Sequence, residues 1–513
     1  MSLILQNVAP ERLDCEALTD PRTSYSWREV GAIIDRATHG ILDHSAPGQR
    51  VGVFARNSAE GALAYTAALA AGRASVPINS QLSASELLYI LDDAQVDLLF
   101  VGPECQAAAA QAIARRGHGT LVAWRCEPSP GTVPWEEWLA GQRGGQPPVD
   151  MPPAPHLHYT SGTTGQPKAV ETPPTMFPTC ATVRELFEAL GEQVRTGVRG
   201  ACLAVAPLYH TSPLRLVRAF AGGCKLVTLD GFDPEQVLTA IEEHRIERSV
   251  MVPTHFRRLL SLSKQTRAGY DVSSLKFISH TGAACPADVK RDMIEWIGPV
   301  LTEFYGGTET GPACLINSHE ALEHPGSVGR AAPPFEALVI GENGEELPCN
   351  TEGKLYFRDT TGRGIIYAND PEKTRQSHIA PAVFTLGEIG YIDEQGYVFI
   401  TDRSSDMIVS GGVNIYPAEI EQQLIKHEAI EDAAVIGVPN NDMGEEVKAL
   451  VILKPGAARP AFEDLDRFCR EELAGYKCPR SFDFVASIGR NAMGKISKRA
   501  LRSPFWPTAR TIG

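Results

Sequence analysis

The chain has 513 residues, 43% hydrophobic and 21% charged, more than one hydrophobic core serves, which predicts an ordinary globular protein of at least two domains. A formal charge of −14 excludes a nucleic-acid binder that works by displacing counterions, and leaves room for a local basic pocket. Eleven cysteines scattered singly, with no C-x-x-C pair, argue against a structural zinc site and for free thiols in the cytoplasm.

The N-terminus has neither a basic n-region nor a long apolar h-region. Ser26-Trp27-Arg28-Glu29 has capping-box spacing and predicts a helix to about Leu42. Arg50 to Ala55 reads as a short apolar strand, followed by an alanine-rich helix from about Ala59. The most apolar stretch, near Gly61 to Gly72, is far shorter than the roughly twenty residues of a membrane span, so no span is expected. Ala74 to Ile78, a helix from about Ser83, and Val96 to Val101 continue the alternation, which implies parallel β-α-β units with the sheet covered on both faces. Residues 127–155 are rich in Pro and Gly and read as a surface crossing. The alternation resumes with His156 to Tyr159, Ala201 to Ala206, Gly223 to Leu229, Ser249 to Val252 and Lys276 to Ser279. From about Gly329 to Asp402, short strands and turns predict a small distorted barrel of antiparallel strands. A boundary near 403–406 then precedes a segment of domain size.

The stretch Tyr159-Thr160-Ser161-Gly162-Thr163-Thr164-Gly165-Gln166-Pro167-Lys168 carries the most chemistry. Its glycines let backbone N–H groups approach an anion, its hydroxyls add donors, and Lys168 adds a fixed charge. Together they read as a cradle for a triphosphate, at a spacing that is not the Walker one. Phe304-Tyr305-Gly306-Gly307-Thr308-Glu309-Thr310 offers an aromatic face, close backbone approach, and a carboxylate suited to Mg²⁺. Read alone, each of these is also an ordinary glycine-rich turn, and His210 after Pro207-Leu208-Tyr209 is a packing histidine.

Taken in order, the segments resemble the adenylate-forming superfamily of acyl-CoA ligases, peptide-synthetase adenylation domains and luciferases, and within it the 4-coumarate and aryl-CoA ligase type. The resemblance runs from about Tyr25 to Arg499. It implies an α/β fold with a large N-terminal domain (1–402) of two αβ-sheet subdomains plus a small β-barrel. A hinge (403–406) and a mobile small α+β C-terminal domain (407–513) follow. It further implies ATP, CoA and Mg²⁺ as cofactors and a small carboxylic acid, bulky or aromatic, as partner, with a homodimer left open.

Residue by residue, the resemblance places Thr160, Ser161, Gly162, Thr163, Thr164, Lys168, Tyr305, Gly306, Thr308, Glu388, Arg403 and Asn414 at the nucleotide. It places His210, Gly282, Ala283, Ala284 and Gly307 at the acyl group, and Gly411, Gly412, Lys477 and Arg480 at CoA. Glu309 would hold Mg²⁺, Ser405 would be the pivot, and Lys495, in Asn491-Ala492-Met493-Gly494-Lys495, would be the catalytic lysine beside His210 and Glu309. The chain departs from the family pattern at Leu386, where a threonine is usual, at Glu388, where an aspartate is usual, and at Ser405, where Asp or Lys is usual. The implied function is acyl-CoA ligation through an acyl-AMP. The departures leave a half-reaction enzyme as the alternative, converting a supplied acyl-AMP or stopping at the adenylate. A non-catalytic nucleotide binder on the same fold is the other.

Overall fold

Helices begin where side chains satisfy the first free backbone N–H groups. In the computed structural model, Ser26 Oγ accepts from Glu29 N at 3.3 Å while Glu29 Oε2 accepts from Ser26 N at 2.7 Å, and Trp27–His44 follows. Ser83 and Glu86 repeat the box ahead of Ala84–Asp93. The structure describes residues 2–127, 130–160, 167–283, 285–341, 343–368, 370–403, 407–489 and 498–506.

The first sheet is parallel, with Arg50–Phe54 between Ala74–Ile78 and Val96–Val101, extended by Thr120–Ala123 and Thr132–Pro134. Helix Ala59–Ala70 is buried along its whole length, which its run of small side chains allows between two layers. The Pro/Gly-rich crossing contains a short helix, Trp135–Ala140, unforeseen in the sequence. Its Trp135 and Trp138 rings pack edge-on at 5.8 and 5.3 Å from Phe100, so burial of aromatic area overrides the breakers that flank it.

Among the described residues the second sheet has 15 strands. Leu226–Thr228, Ala201–Ala204, Ile246–Met251, Phe277–His280 and Leu301–Gly307 lie side by side and parallel. Leu301–Gly307 then folds back antiparallel onto Gly311–Asn317. The edge of that strand takes Ser327–Ala331, which takes Tyr397–Arg403. The antiparallel strands expected as a barrel therefore grow out of the parallel sheet as one continuous ladder, because the hairpin at 308–310 leaves a pairing edge exposed.

Beyond residue 407, Ile408–Ser410, Val413–Ile415, Ile430–Asn440, Gly444–Leu453 and Ser481–Phe484 form a separate five-stranded sheet. Ile408, Ile420, Leu424, Val435 and Leu465 make its own core. Among the described residues no helix is long and apolar enough to cross a membrane.

Candidate active site

The C-terminal ends of the parallel strands open into a cavity of about 770 Å³, where open α/β sheets place ligands. Val205 to His210 follow the strand Ala201–Ala204, Thr281 and Gly282 follow Phe277–His280, and Gly306 to Glu309 end Leu301–Gly307. The opposite wall comes from the C-terminal segment, through Ser410 to Tyr416, Tyr476, Lys477 and Arg480.

On one side the residues suit phosphate. Thr160 pairs with Lys168 across the two-stranded ladder that leads into and out of the hydroxyl-rich loop. Ser161, Gly162, Thr163 and Thr164 themselves lie outside the described residues. The Lys168 ammonium donates to Asp370, which caps helix Pro371–Gln376 by accepting from Lys373 N at 2.9 Å. Lys373 lies 4.1 Å over the Tyr367 ring. Burial pulls its ammonium down, opposed by the charge of Glu309. Burial and that same carboxylate push the Tyr367 phenol up. Lys168, Lys373, Tyr367 and Glu309 thus converge from distant parts of the chain. Tyr367, Asp370 and Lys373 were missed in the sequence, where Asp370-Pro371-Glu372 reads only as a helix start.

On the other side lies His210, half-buried, its imidazole pulled down to about 4 by burial and hence neutral near pH 7. The Thr308 and Thr211 hydroxyls share a hydrogen bond of 3.0 Å. Gly282 lines the cavity with a φ of +87°, and a Cβ there would stand 3.7 Å from Val252 Cγ1. Ala283 follows half-buried, and Ala284 lies outside the described residues. Tyr305 packs its ring 6.0 Å from Phe357 and lines a smaller recess behind Gly306. Leu386 lies against Gly307. Glu388 is buried, opposite Arg403 in the ladder, where the structure describes the Arg403 backbone alone.

From the C-terminal segment, Gly411 and Gly412 adopt φ of +57° and +81°, conformations that admit glycine without strain. The Gly412 carbonyl oxygen approaches to 3.6 Å of where a Cβ on Gly282 would stand, so the glycine pair faces the cavity wall directly. Asn414 lines the cavity and is exposed. Arg480, also exposed, lies at the rim.

Lys477, placed at CoA by the resemblance, is 2% exposed. Its ammonium donates to Glu86 at 2.6 Å and to Glu419 at 2.9 Å, bridging the two halves of the molecule. Burial opposes its charge, and Tyr476, Glu86 and Glu419 more than offset that penalty, leaving the ammonium raised. In this arrangement its charge is committed to an interdomain contact. Arg258 to Asp442 at 2.9 Å, and Ser83 Oγ to the Glu472 carbonyl at 3.1 Å, support the same junction. Ser405 and Lys495 lie outside the described residues.

Among the described residues no group of three or more His, Cys, Asp or Glu side chains could hold a metal by itself. A single carboxylate on the cavity wall, Glu309, fits the one such ion that needs little more, since Mg²⁺ takes one or two carboxylates and fills its shell with phosphate oxygens and water.

The family described as AMP-binding enzyme matches residues 5–364, and the AMP-binding enzyme C-terminal domain matches residues 419–495. A long-chain-fatty-acid–CoA ligase of Bacillus subtilis is 35% identical over 350 residues, 67% of this chain and 60% of that protein. The long-chain-fatty-acid–CoA ligase FadD13 of Mycobacterium tuberculosis is 31% identical over 511 residues, covering 96% of this chain and 95% of its own. Among solved structures, the amide bond synthetase McbA of Marinactinospora thermotolerans superposes with a TM-score of 0.80 at 26% identity, covering 98% of this chain and 100% of that one. O-succinylbenzoate CoA synthetase of Bacillus subtilis, 24% identical, shares the fold. Its double mutant bound to a product analogue gives a TM-score of 0.79 over 98% of both chains. The same enzyme with its acyl-adenylate gives 0.63 over 100% of this chain and 99% of that one.

Proposed function

The chain belongs to the AMP-binding enzymes, and on that premise we propose that it is an acid–thiol ligase that activates a carboxylic acid as its acyl-adenylate and passes the acyl group to CoA. The observation that carries the reading is the meeting of two faces in one cavity. Gly306 to Glu309 and His210 come from the large sheet, and Gly411, Gly412 and Asn414 come from the C-terminal segment.

A carboxylate is a poor electrophile because its charge is delocalised. In the first step one of its oxygens attacks the α-phosphorus of ATP, the bond to the bridging oxygen breaks, and pyrophosphate leaves. Thr160 and the hydroxyls that follow it, with Lys168 oriented by Asp370, hold the phosphates. Glu309 would hold Mg²⁺, which when bound neutralises charge on phosphoryl oxygens. Lys495 supplies an ammonium to the same oxygens. His210, kept neutral by its surroundings, borders the acid without adding a competing charge.

In the second step the CoA thiolate attacks the acyl carbon and AMP leaves with the bonding electrons. The glycine pair lines the cavity beside Gly282 and Val252, where the thiol arm would pass. Two steps at one acyl carbon require the C-terminal domain (407–513) to present first Lys495 and then the glycine pair, turning about 403–406 on the N-terminal domain (1–402). The half-reaction alternative is not favoured, since the two curated relatives compared above carry names of complete CoA ligases.

The test is a panel of carboxylic acids incubated with ATP, Mg²⁺ and CoA, scoring pyrophosphate and thioester separately. Both products, in equal amounts, are expected with at least one acid. Thioester formation from supplied acyl-AMP without pyrophosphate release from any acid would refute the reading.

A further inference from the structure

Behind Gly306 the main cavity continues into a recess of about 50 Å³. The two share Thr211, Ser212, Thr281 and Gly306, so the recess is a side limb of the same space. Thr211 and Ser212, which follow His210 directly, line it, and Lys168 and Asp370 do not. Its remaining wall includes Met176, Phe304 and Pro312, all uncharged, and one cation, Arg215.

Arg215 is the first residue of helix Arg215–Ala221. Its guanidinium carbon stands 5.6 Å from the centre of the Phe304 ring, and the side chain stays accessible. Among the described residues it makes no hydrogen bond and no ion pair. Burial pulls its ionisation down, and its charged neighbour, Arg248, pulls the same way. One helical turn on, Arg218 is 7% exposed, and its side chain likewise has no hydrogen bond or ion pair among the described residues. Burial, then Arg215, pull it down to about 9. A chain of net charge −14 thus keeps two uncompensated guanidinium groups on one face of a short helix, the first of them at a ligand cavity.

A buried guanidinium such as Arg218 is costly without a partner, whereas Arg215 is exposed and solvated and so is free to take an anion that enters the limb. The sequence around Arg215 supplies hydroxyls at Thr211, Ser212 and Thr281 and no carboxylate, so within this limb the counter-charge is left to the ligand. A guanidinium and neighbouring hydroxyls suit a planar anion of carboxylate type. The space holds on the order of three to five water-sized groups, room for a terminal carboxylate and a short stem but not for a long alkyl tail.

We propose that the acid activated by this enzyme carries a second anionic group, of carboxylate class, at its far end, and that Arg215 in the recess behind Gly306 receives it. The inference rests on the ligase reading above and narrows its substrate. It makes Arg215 a specificity-determining residue: an acid that ends in a methyl group leaves the guanidinium unpaired, and sites built for a polar partner discriminate strongly against analogues that lack it.

The experiment measures ATP-dependent pyrophosphate release with α,ω-dicarboxylic acids of four to eight carbons, each against the monocarboxylic acid of equal length, with terephthalate against benzoate as the rigid pair. In the wild type, the best diacid should exceed its matched monoacid by about 10²-fold or more in kcat/KM. Arg215→Met should lower the diacid value and raise that of the monoacid, so that the ratio falls to about one or inverts. Arg215→Lys, which keeps the charge without the planar fork, should retain a diacid preference reduced by about tenfold. Pyrophosphate release that favours monoacids in the wild type, or an Arg215→Met variant in which both members of a pair change equally, would overturn this inference and leave the ligase reading standing. No pyrophosphate with any acid would overturn both.

Discussion

Glu86→Gln should separate the two half-reactions. Glu86 sits on the N-terminal domain, and its Oε1 accepts from the Lys477 ammonium at 2.6 Å, while Lys477 also binds Glu419 at 2.9 Å. All three side chains are largely shielded from water, with 2% of the Lys477 side chain and 8% and 11% of Glu86 and Glu419 exposed. Glu86 Oε2 accepts from Ser83 N at 2.8 Å, closing the capping box, and glutamine can keep that bond. The substitution therefore removes charge from the junction while sparing the helix. Lys477 keeps Glu419, so the loss is that of one hydrogen bond between charged groups, about 1.5–3 kcal/mol, short of the cost of an orphaned buried charge. At 1.36 kcal/mol per factor of ten, the arrangement described here loses about 10- to 100-fold of its population relative to the other. That arrangement places the glycine pair at the cavity, where the transfer step needs it. Rapid-quench transfer from preformed acyl-AMP to CoA should slow by about that factor, while ATP–pyrophosphate exchange holds or rises. An equal fall in both rates, or transfer within about twofold of wild type, would refute the reasoning.

The other expectations concern single steps or stability. Lys495→Ala should cost adenylation on the order of 10²–10³-fold while transfer from supplied acyl-AMP persists, as for loss of one donor to a charge-developing oxygen; equal losses in both assays would contradict it. Gly412→Ala puts a Cβ 3.3 Å from Val252 Cγ1 at a φ of +81°, so transfer should fall about tenfold or more with pyrophosphate exchange spared, read in the same two assays. His158, His255 and His280 are pulled by burial to about 3, 3 and 4, well below their unfolded value of about 6.5. Below about pH 6.5 the unfolded chain binds protons that the native one does not, so this contribution is complete above pH 6.5 and is lost as pH falls toward 4. Three such groups give a slope of about 4 kcal/mol per pH unit at most, and denaturant midpoints at pH 7 and 5 that coincide would show the histidines to be protonated in place.

Much of this molecule was legible because the signals are local. Ser26 with Glu29 and Ser83 with Glu86 announce helices through contacts three residues apart, and both helices start where expected. Ala74–Ile78 and Val96–Val101 are largely apolar runs that form strands over the expected residues. The motif residues His210, Gly282, Gly306, Thr308, Glu309, Gly411 and Gly412 all line one cavity although they span two hundred positions of the chain. The helix Trp135–Ala140 escaped notice because its reason for existing is a ring on another strand, Phe100. The antiparallel strands read as a small distorted barrel, and their continuity with the parallel sheet was not legible, because period-two patterning reports a strand and its faces but not its neighbours.

By itself, the order of residues determined the family, the alternation of strands and helices, and the chemistry available to the phosphates and the acyl carbon. Which charges meet was decided only by tertiary structure. Lys168 finds Asp370 across 202 positions and Lys477 finds Glu86 across 391, while Arg215 finds no carboxylate among the described residues. In a linear text all three are basic residues with equal claims on solvent or ligand. Their surroundings make them different: Lys168 and Lys477 are shielded from water and answered by carboxylates of the fold, while Arg215 stays exposed at the cavity.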